Sequence, residues 1–335
     1  MSETEDKKVS VCVDACGGDK PASVVLEGIE AALAEDNDLN VVVTGLPEIV
    51  EPFAQKHEGR VSAHACSQVI EMGEHPAEAV RSKRDSSIVQ GCKLVKSGEA
   101  GGFFSAGSTG AILAAATLGI GRISGVERPA LTVVFPGKTP TVVLDLGANA
   151  DCKPEYLAQF AHMGSAYANV MLGVKEPKVG LLNIGTERAK GSSFAQEACA
   201  LLEQNVPNFV GNGESTDLFS DSFDVLVSDG FTGNVAVKAV EATAKFMLGS
   251  IKGAIEDSIV KKIAAGILKP AFSDIRDQLS GDAYGGAILL GLKGAVVIGH
   301  GATSPEAVKN GTLAVAGAIR GNLVALIEAR LKANV

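Results

Sequence analysis

Apolar, often β-branched residues gather in short runs that end at glycine, aspartate or asparagine, and a longer stretch with helical spacing follows most of them. Val9 to Val13 is the first run. It closes on Asp14, passes Gly17-Gly18-Asp19 and meets Pro21, which suits the start of a helix over Ala22 to Ala34. The unit recurs at Asn40 to Val43 before Gly45 and Pro47, and at Gly102 to Phe104 before Ser105-Ala106-Gly107-Ser108-Thr109-Gly110. It returns at Thr141 to Leu144 before Asp145-Leu146-Gly147-Ala148-Asn149, and at Val179 to Asn183 before Gly185 to Gly191. Phe223 to Val227 precedes Asp229-Gly230-Phe231-Thr232-Gly233-Asn234, and Ala295 to Ile298 precedes Gly299-His300-Gly301. Short apolar strands alternating with helices predict an α/β fold whose parallel sheet is covered on both faces. Ligands of such sheets sit beyond the carboxyl ends of the strands, so one rim carrying all these loops is the expected site.

A different pattern occupies residues 245–280. Ile255, Ile259, Ile263 and Ile267 recur at helical spacing with Val260, Leu268 and Phe272, among Lys252, Lys261, Lys262 and Lys269. Pro270 interrupts the helix, which predicts a protruding helical arm. The apolar stripe fits a peripheral membrane contact with lysines at anionic lipid, and equally a dimer-interface or core helix.

Composition narrows the classes. With 335 residues and 46% hydrophobic content the chain can bury one large core, and no linker divides it, so a single α/β catalytic domain over 1–335 is expected. Aromatic content is 4% with no Trp, which leaves Ala, Val, Ile and Leu to fill the interior. A net charge of -9 argues against nucleic acid as a partner. The six cysteines contain no CxxC pair, and buried free thiols are the plain reading. Met1 to Lys8 is charged and lacks the apolar core of a secretory signal, so a cytoplasmic protein is expected.

Glycine loops that open helices present unpaired N–H groups and a positive dipole end, which bind phosphate or a developing oxyanion. Ser105 to Gly110 is the strongest candidate, and Gly185 to Gly191 adds Arg188 and Lys190. Each loop taken alone is equally a tight turn. GxSxG, GxxxxGK[ST], HExxH and a GxGxxG after the first strand are all absent, and the five histidines show no ligand spacing, so no metal site is expected. His300, between glycines after a strand, is either a site residue or a structural one. Asp14 and Asp145 suit capping of the following backbone as well as catalysis. Arg81, Lys83 and Arg84 form a basic cluster, read as a solvated face or as a dock for an acidic carrier.

Asp14-Ala15-Cys16-Gly17-Gly18-Asp19, Ser105 to Ala111, Leu144 to Asn149, Gly180 to Gly191, Gly211-Asn212-Gly213-Glu214, Asp229 to Asn234 with Lys238 and Glu241, and Tyr284-Gly285-Gly286-Ala287 through His300-Gly301 follow one another in a set order. That series resembles the acyl-ACP:phosphate acyltransferase (PlsX) family over nearly the whole chain. Cys16 and Ser108 depart from it, standing where the family carries Met and Asn. The resemblance implies a Rossmann-like three-layer αβα sandwich with a mostly parallel sheet, related to phosphate acetyltransferases and, more distantly, to isopropylmalate-type dehydrogenases. It implies a homodimer that takes acyl groups from acyl carrier protein to inorganic phosphate for phospholipid synthesis, with no cofactor. Peripheral association with the inner face of the cell membrane and a downstream glycerol-3-phosphate acyltransferase as partner are also implied. On the chemistry of transfer, Ser105, Ser108, Thr109 and Lys190 are expected to hold phosphate, with Gly17, Gly18, Asp19, Gly107, Asn149 and Gly185 shaping the substrate site. Asn234 and His300 would polarise the thioester carbonyl, and Asp229 would position one of them. An enzyme acting on acyl-CoA thioesters and a non-catalytic membrane scaffold are the competing readings.

Overall fold

The structure, a computed structural model, describes residues 8–137, 139–256, 261, 265, 266, 268 and 285–333. The chain opens with β1 (Val9–Asp14), α1 (Ala22–Glu35), β2 (Leu39–Gly45), α2 (Pro47–Lys56), β3 (Val61–Ala65), α3 (Pro76–Ser82), α4 (Ser87–Ser97), β4 (Gly102–Ser105) and α5 (Thr109–Gly119). The middle comprises β5 (Ala130–Phe135), β6 (Thr141–Leu144), α6 (Pro154–Met171), β7 (Val179–Leu182), α7 (Ser193–Asn205), β8 (Phe209–Gly213), a 3-10 turn at Ser215–Phe219, and β9 (Val225–Val227). After α8 (Gly230–Glu256), the hairpin β10 (Ala287–Leu290) and β11 (Ala295–Ile298) leads into α9 (Pro305–Arg320) and α10 (Leu323–Ala333). Proline opens α2, α3, α6 and α9, where a missing N–H costs nothing, and the hydroxyls of Ser86, Ser192 and Ser304 cap α4, α7 and α9.

The strands form one sheet in the order β3-β2-β1-β4-β11-β10-β5-β6-β9-β7-β8. Alternate residues serve opposite layers, as the pleat requires. Val11, Val13, Phe104, Val142, Leu144, Val225, Val227 and Val297 join the core under α1, α6, α7, α9 and α10. Cys12, Phe103, Val296 and Ile298 face the core built with α4 and α5, while Val143 and Leu226 meet Val237 and Val240 of α8. Arg320 of α9 forks onto both oxygens of Asp36 just past α1, at 2.6 and 3.0 Å, tying the chain ends together.

The sheet is mostly parallel, as expected, with three antiparallel pairings that divide it into two blocks. β3, β2, β1, β4 and β11 run parallel, and so do β6, β9, β7 and β8. Between them, β11 with β10, β10 with β5, and β5 with β6 are all antiparallel. The two blocks therefore point in opposite directions, and their glycine loops emerge on opposite rims. Residues 245–256 continue α8. The rest of the 245–280 arm, with Ile259, Ile263, Ile267, Pro270 and Phe272, lies outside the described residues, apart from a few isolated positions.

Candidate active site

The first rim is built from the ends of β1, β4 and β11. Asp14 is fully buried; its Oδ2 accepts the Ser105 hydroxyl at 2.7 Å and its Oδ1 accepts the Cys16 amide at 2.9 Å. Ser105 Oγ in turn accepts the Gly107 amide at 3.1 Å. Burial pushes the Asp14 carboxyl above its ordinary range, and the Ser105 hydrogen bond opposes that shift. Gly17 fits this brace only without a side chain: a Cβ there would stand 2.6 Å from Asp14 Oδ2, 2.7 Å from the Gly107 nitrogen and 2.8 Å from Ser105 Oγ. The Asp19 amide donates to the Gly301 carbonyl at 2.7 Å and the Gly299 amide to the Ser105 carbonyl at 2.9 Å, so all three loops are stitched together.

In front of the brace, α5 begins. Ser108 is its N-cap residue, 8% exposed, and its hydroxyl makes no capping bond. The amides of Thr109, Gly110 and Ala111 have no acceptor among the described residues, since the first bond returning to Ser108 comes from Ile112. Three backbone donors and the helix dipole thus open at one helix end, which also carries the hydroxyls of Ser108 and Thr109. His300 is exposed, and its Nδ1 accepts the Ala302 amide at 3.1 Å, which leaves Nε2 to carry the proton of the neutral ring.

The second rim holds the loops after β6, β9 and β7. Asp145, also fully buried, accepts the amides of Leu131, Ala148 and Asn149 and the Asn149 side chain, at 2.7 to 3.1 Å. Asn149 Nδ2 also reaches the Pro129 carbonyl at 2.8 Å, and the Asn149 carbonyl receives the Gly230 amide. Asp229 caps α8 through the amide and hydroxyl of Thr232, at 2.9 and 2.7 Å. Asn234 is exposed, the fifth residue of α8. Lys190 is exposed beside Glu187 at 3.7 Å, its stem lying over the buried Gly185, and Arg188 pairs with Glu203.

The structure places the expected residues as follows. Ser105 is a brace, because its hydrogen is held by Asp14 and its lone pair by Gly107. Asn149 is turned inward with its amide hydrogens engaged, and Asp229 has the local task of an N-cap. Ser105 and Lys190 do not share a pocket: six strand spacings separate β4 from β7, about 29 Å at roughly 4.8 Å each, and their loops leave opposite rims. Gly17, Gly18, Asp19, Gly107, Ser108, Thr109 and His300 do come together. Asp14 and Asp145 cap backbone amides, one of the two roles their positions suggested. Pro76, packed against Gly110, and Met72, beside Gly301, also border the site; Met72 has no sequence signal that marks it.

Thiols near either rim are held protonated. Burial pushes Cys66 to about 12 and Cys152 to about 11, and raises Cys16. No cluster of His, Cys, Asp or Glu suited to a metal ion occurs among the described residues.

The model of the fatty acid synthesis protein family matches residues 9–325. A phosphate acyltransferase of Halothermothrix orenii is 40% identical over 324 residues, covering 95% of this chain and 97% of the relative. One from Limosilactobacillus reuteri is 45% identical over 310 residues, covering 90% of each. Among solved structures, the EutD phosphotransacetylase from Staphylococcus aureus superposes with a TM-score of 0.58 at 20% identity, over 93% of this chain and 94% of that one. A phosphotransacetylase from Streptococcus pyogenes gives 0.59 at 18% identity, over 95% of each. These structural likenesses establish the fold. The match over residues 9–325, and the relatives alike along nearly their whole length, place the chain in the fatty acid synthesis protein family, the acyl-ACP:phosphate acyltransferase (PlsX) family that its loops resemble.

Proposed function

We propose that this enzyme, a phosphate acyltransferase like its relatives, moves a fatty acyl group from the thioester of acyl carrier protein to inorganic phosphate at the first rim. The observation that carries the location is the open N-terminus of α5, fixed from behind by Asp14, Ser105 and Gly107. A phosphate oxygen attacks the thioester carbonyl carbon, the new C–O bond forms, and the C–S bond breaks. The proton of the hydrogen phosphate passes to the departing thiolate, whose ordinary pKa of about 8.5 makes it an adequate leaving group. No covalent enzyme intermediate is needed, which accords with the raised thiol pKa values. The protein supplies alignment and oxyanion donors, each worth about 3 kcal/mol. Ser108, Thr109 and the α5 amides hold phosphate, and His300 Nε2–H polarises the carbonyl.

Purified protein, a long-chain acyl carrier thioester and labelled phosphate should yield a hydroxylamine-sensitive acyl phosphate. Release of free acid without phosphate incorporation would refute the reading, and turnover of acyl-CoA alone would assign the other donor. Ser108→Ala should raise the phosphate KM, whereas Lys190→Ala should not.

We further propose a homodimer at the membrane surface, delivering acyl phosphate to a glycerol-3-phosphate acyltransferase. The exposed apolar side chains of α8, Phe231, Val235, Phe246, Met247 and Ile251, support burial of that helix in an assembly. No single helix among the described residues is long and apolar enough to cross a membrane. Sedimentation tests the dimer, and liposome flotation of Ile267→Asp against wild type tests the membrane contact.

A further inference from the structure

The basic cluster beside α3 is rearranged relative to its sequence neighbours. Lys83 is spent internally: its ammonium meets Glu74 Oε1 at 2.5 Å and the Val69 carbonyl at 2.7 Å. Arg81 and Arg84 instead face solvent and are joined there by Lys93 of α4. Arg84 Nε donates to the Arg81 carbonyl at 3.4 Å, and Lys93 Nζ donates to the Arg84 carbonyl at 3.2 Å. None of the three is ion-paired with a carboxylate among the described residues. The three cations repel one another, and Asp85 offsets them only from beyond ion-pair distance, its carboxyl drawn below the ordinary range first by the Ser67 hydrogen bonds and in small part by Lys93. From His75 to Ser97 there are five basic residues against two acidic ones, Glu78 and Asp85, in a chain of net charge -9.

Position adds to charge. Pro76, the first residue of α3, lies against Gly110 in the first turn of α5; a Cβ on Gly110 would stand 2.6 Å from Pro76 Cγ. Arg81 follows five residues on, about 8 Å along the helix axis. The patch therefore begins next to the open amides of α5 and extends away from them across one face of the molecule.

We infer that Arg81, Arg84 and Lys93 form the docking surface for the acidic carrier protein that presents the thioester, an inference that rests on the function proposed above. A protein donor bound there by opposite charge places its tethered thioester over the α5 N-terminus. Such contacts act mainly on encounter and weaken with salt.

The test is Arg81→Glu with Arg84→Glu, assayed with an acyl carrier thioester and with acyl-pantetheine, which has the same reacting group and no protein. The double variant should lose at least tenfold in kcat/KM for the carrier substrate, chiefly through KM, with acyl-pantetheine turnover and phosphate KM unchanged. Lys56→Glu with Lys332→Glu, an equal charge change in the opposite helical layer, should have no effect on either substrate. Unchanged carrier kinetics in the double variant would overturn the assignment, as would an equal loss with both thioesters. Fluorescence anisotropy of labelled carrier protein at low salt separates docking from chemistry. If the wild type transfers no acyl group, the functional reading fails, and loss of carrier binding in the double variant still supports the dock. Equal binding by both proteins, or none by the wild type, overturns it.

Discussion

Gly17→Ala tests the geometry of the first rim at its narrowest point. The added methyl would lie 2.6, 2.7 and 2.8 Å from Asp14 Oδ2, the Gly107 nitrogen and Ser105 Oγ, so each must retreat by roughly 0.6–0.8 Å to reach ordinary contact. These atoms already hold one another at 2.7 and 3.1 Å, so none retreats without stretching a buried hydrogen bond. Losing a bond to a charged group costs about 1.5–3 kcal/mol, and overpacking about 1–3 kcal/mol. Destabilisation of about 3 kcal/mol is expected. For 335 residues at about 2.1 cal/mol/K each, the unfolding entropy is ~0.7 kcal/mol/K, and the thermal midpoint should fall by about 4 °C. The same displacement moves Gly107 and the entry to α5, so the phosphate KM should rise several-fold in the surviving folded protein. Gly73→Ala, where nothing lies within 4 Å of the new Cβ, is the matched control and should leave both unchanged. A Gly17→Ala protein with wild-type melting and wild-type phosphate kinetics would show that the β1 loop is not packed into this brace.

Asp145→Ala leaves four N–H donors without an acceptor in a closed site, and a loss of about 3–5 kcal/mol in denaturant unfolding is expected; a loss under 1 kcal/mol would contradict the network. Cys16→Ser should keep most of the activity, and thiol reagents should act slowly at pH 7, because burial raises the Cys16 pKa. Rapid, complete inactivation by a small alkylating reagent would argue for a reactive thiolate. Asp36 is partly desolvated, yet the Arg320 fork prevails and holds its carboxyl below the usual value of 3.8. A depressed folded pKa contributes stability that is complete above the unfolded value and lost as pH falls through the folded one. Asp36→Asn should thus destabilise at pH 7 and converge with wild type as pH falls below 3.8, checked by urea unfolding at both ends; a gap independent of pH would refute the charge argument.

Much of the fold is legible in the residues because each parallel strand ends in a glycine turn and feeds a helix. β6 and β11 coincide with the apolar runs Thr141 to Leu144 and Ala295 to Ile298, and α1 starts immediately after Pro21. The strands that escape this reading are those without that signature. β5 is strongly apolar but turns back into β6 with no helix between them, and β10 turns back into β11. β3 is an edge strand with one buried residue in five, and β8 carries two glycines. Missing β5 and β10 also hides the sheet's reversal. Local periodicity reports which face a side chain takes, whereas strand direction depends on pairing between segments more than a hundred residues apart, such as β5 with β10.

That reversal bears directly on the chemistry. The sequence reading gathers every loop on a single rim, because phosphate, carbonyl and oxyanion all require partners. The first rim already offers three open amides, the hydroxyls of Ser108 and Thr109, and His300 Nε2, while its one buried carboxylate is occupied by Ser105 and the Cys16 amide. On the second rim three polar groups are engaged locally: Asp145 holds Asn149, Asp229 caps α8, and Asn183 binds its own loop through the Ile184 amide and the Lys190 carbonyl. An attacking phosphate is itself the nucleophile and needs no base of pKa near 7, so donors at one helix end are chemically sufficient. The glycine-rich turns of β6, β7 and β9 are then explained by close packing: a Cβ on Gly233 would come within 2.0 Å of the Asp145 carbonyl oxygen.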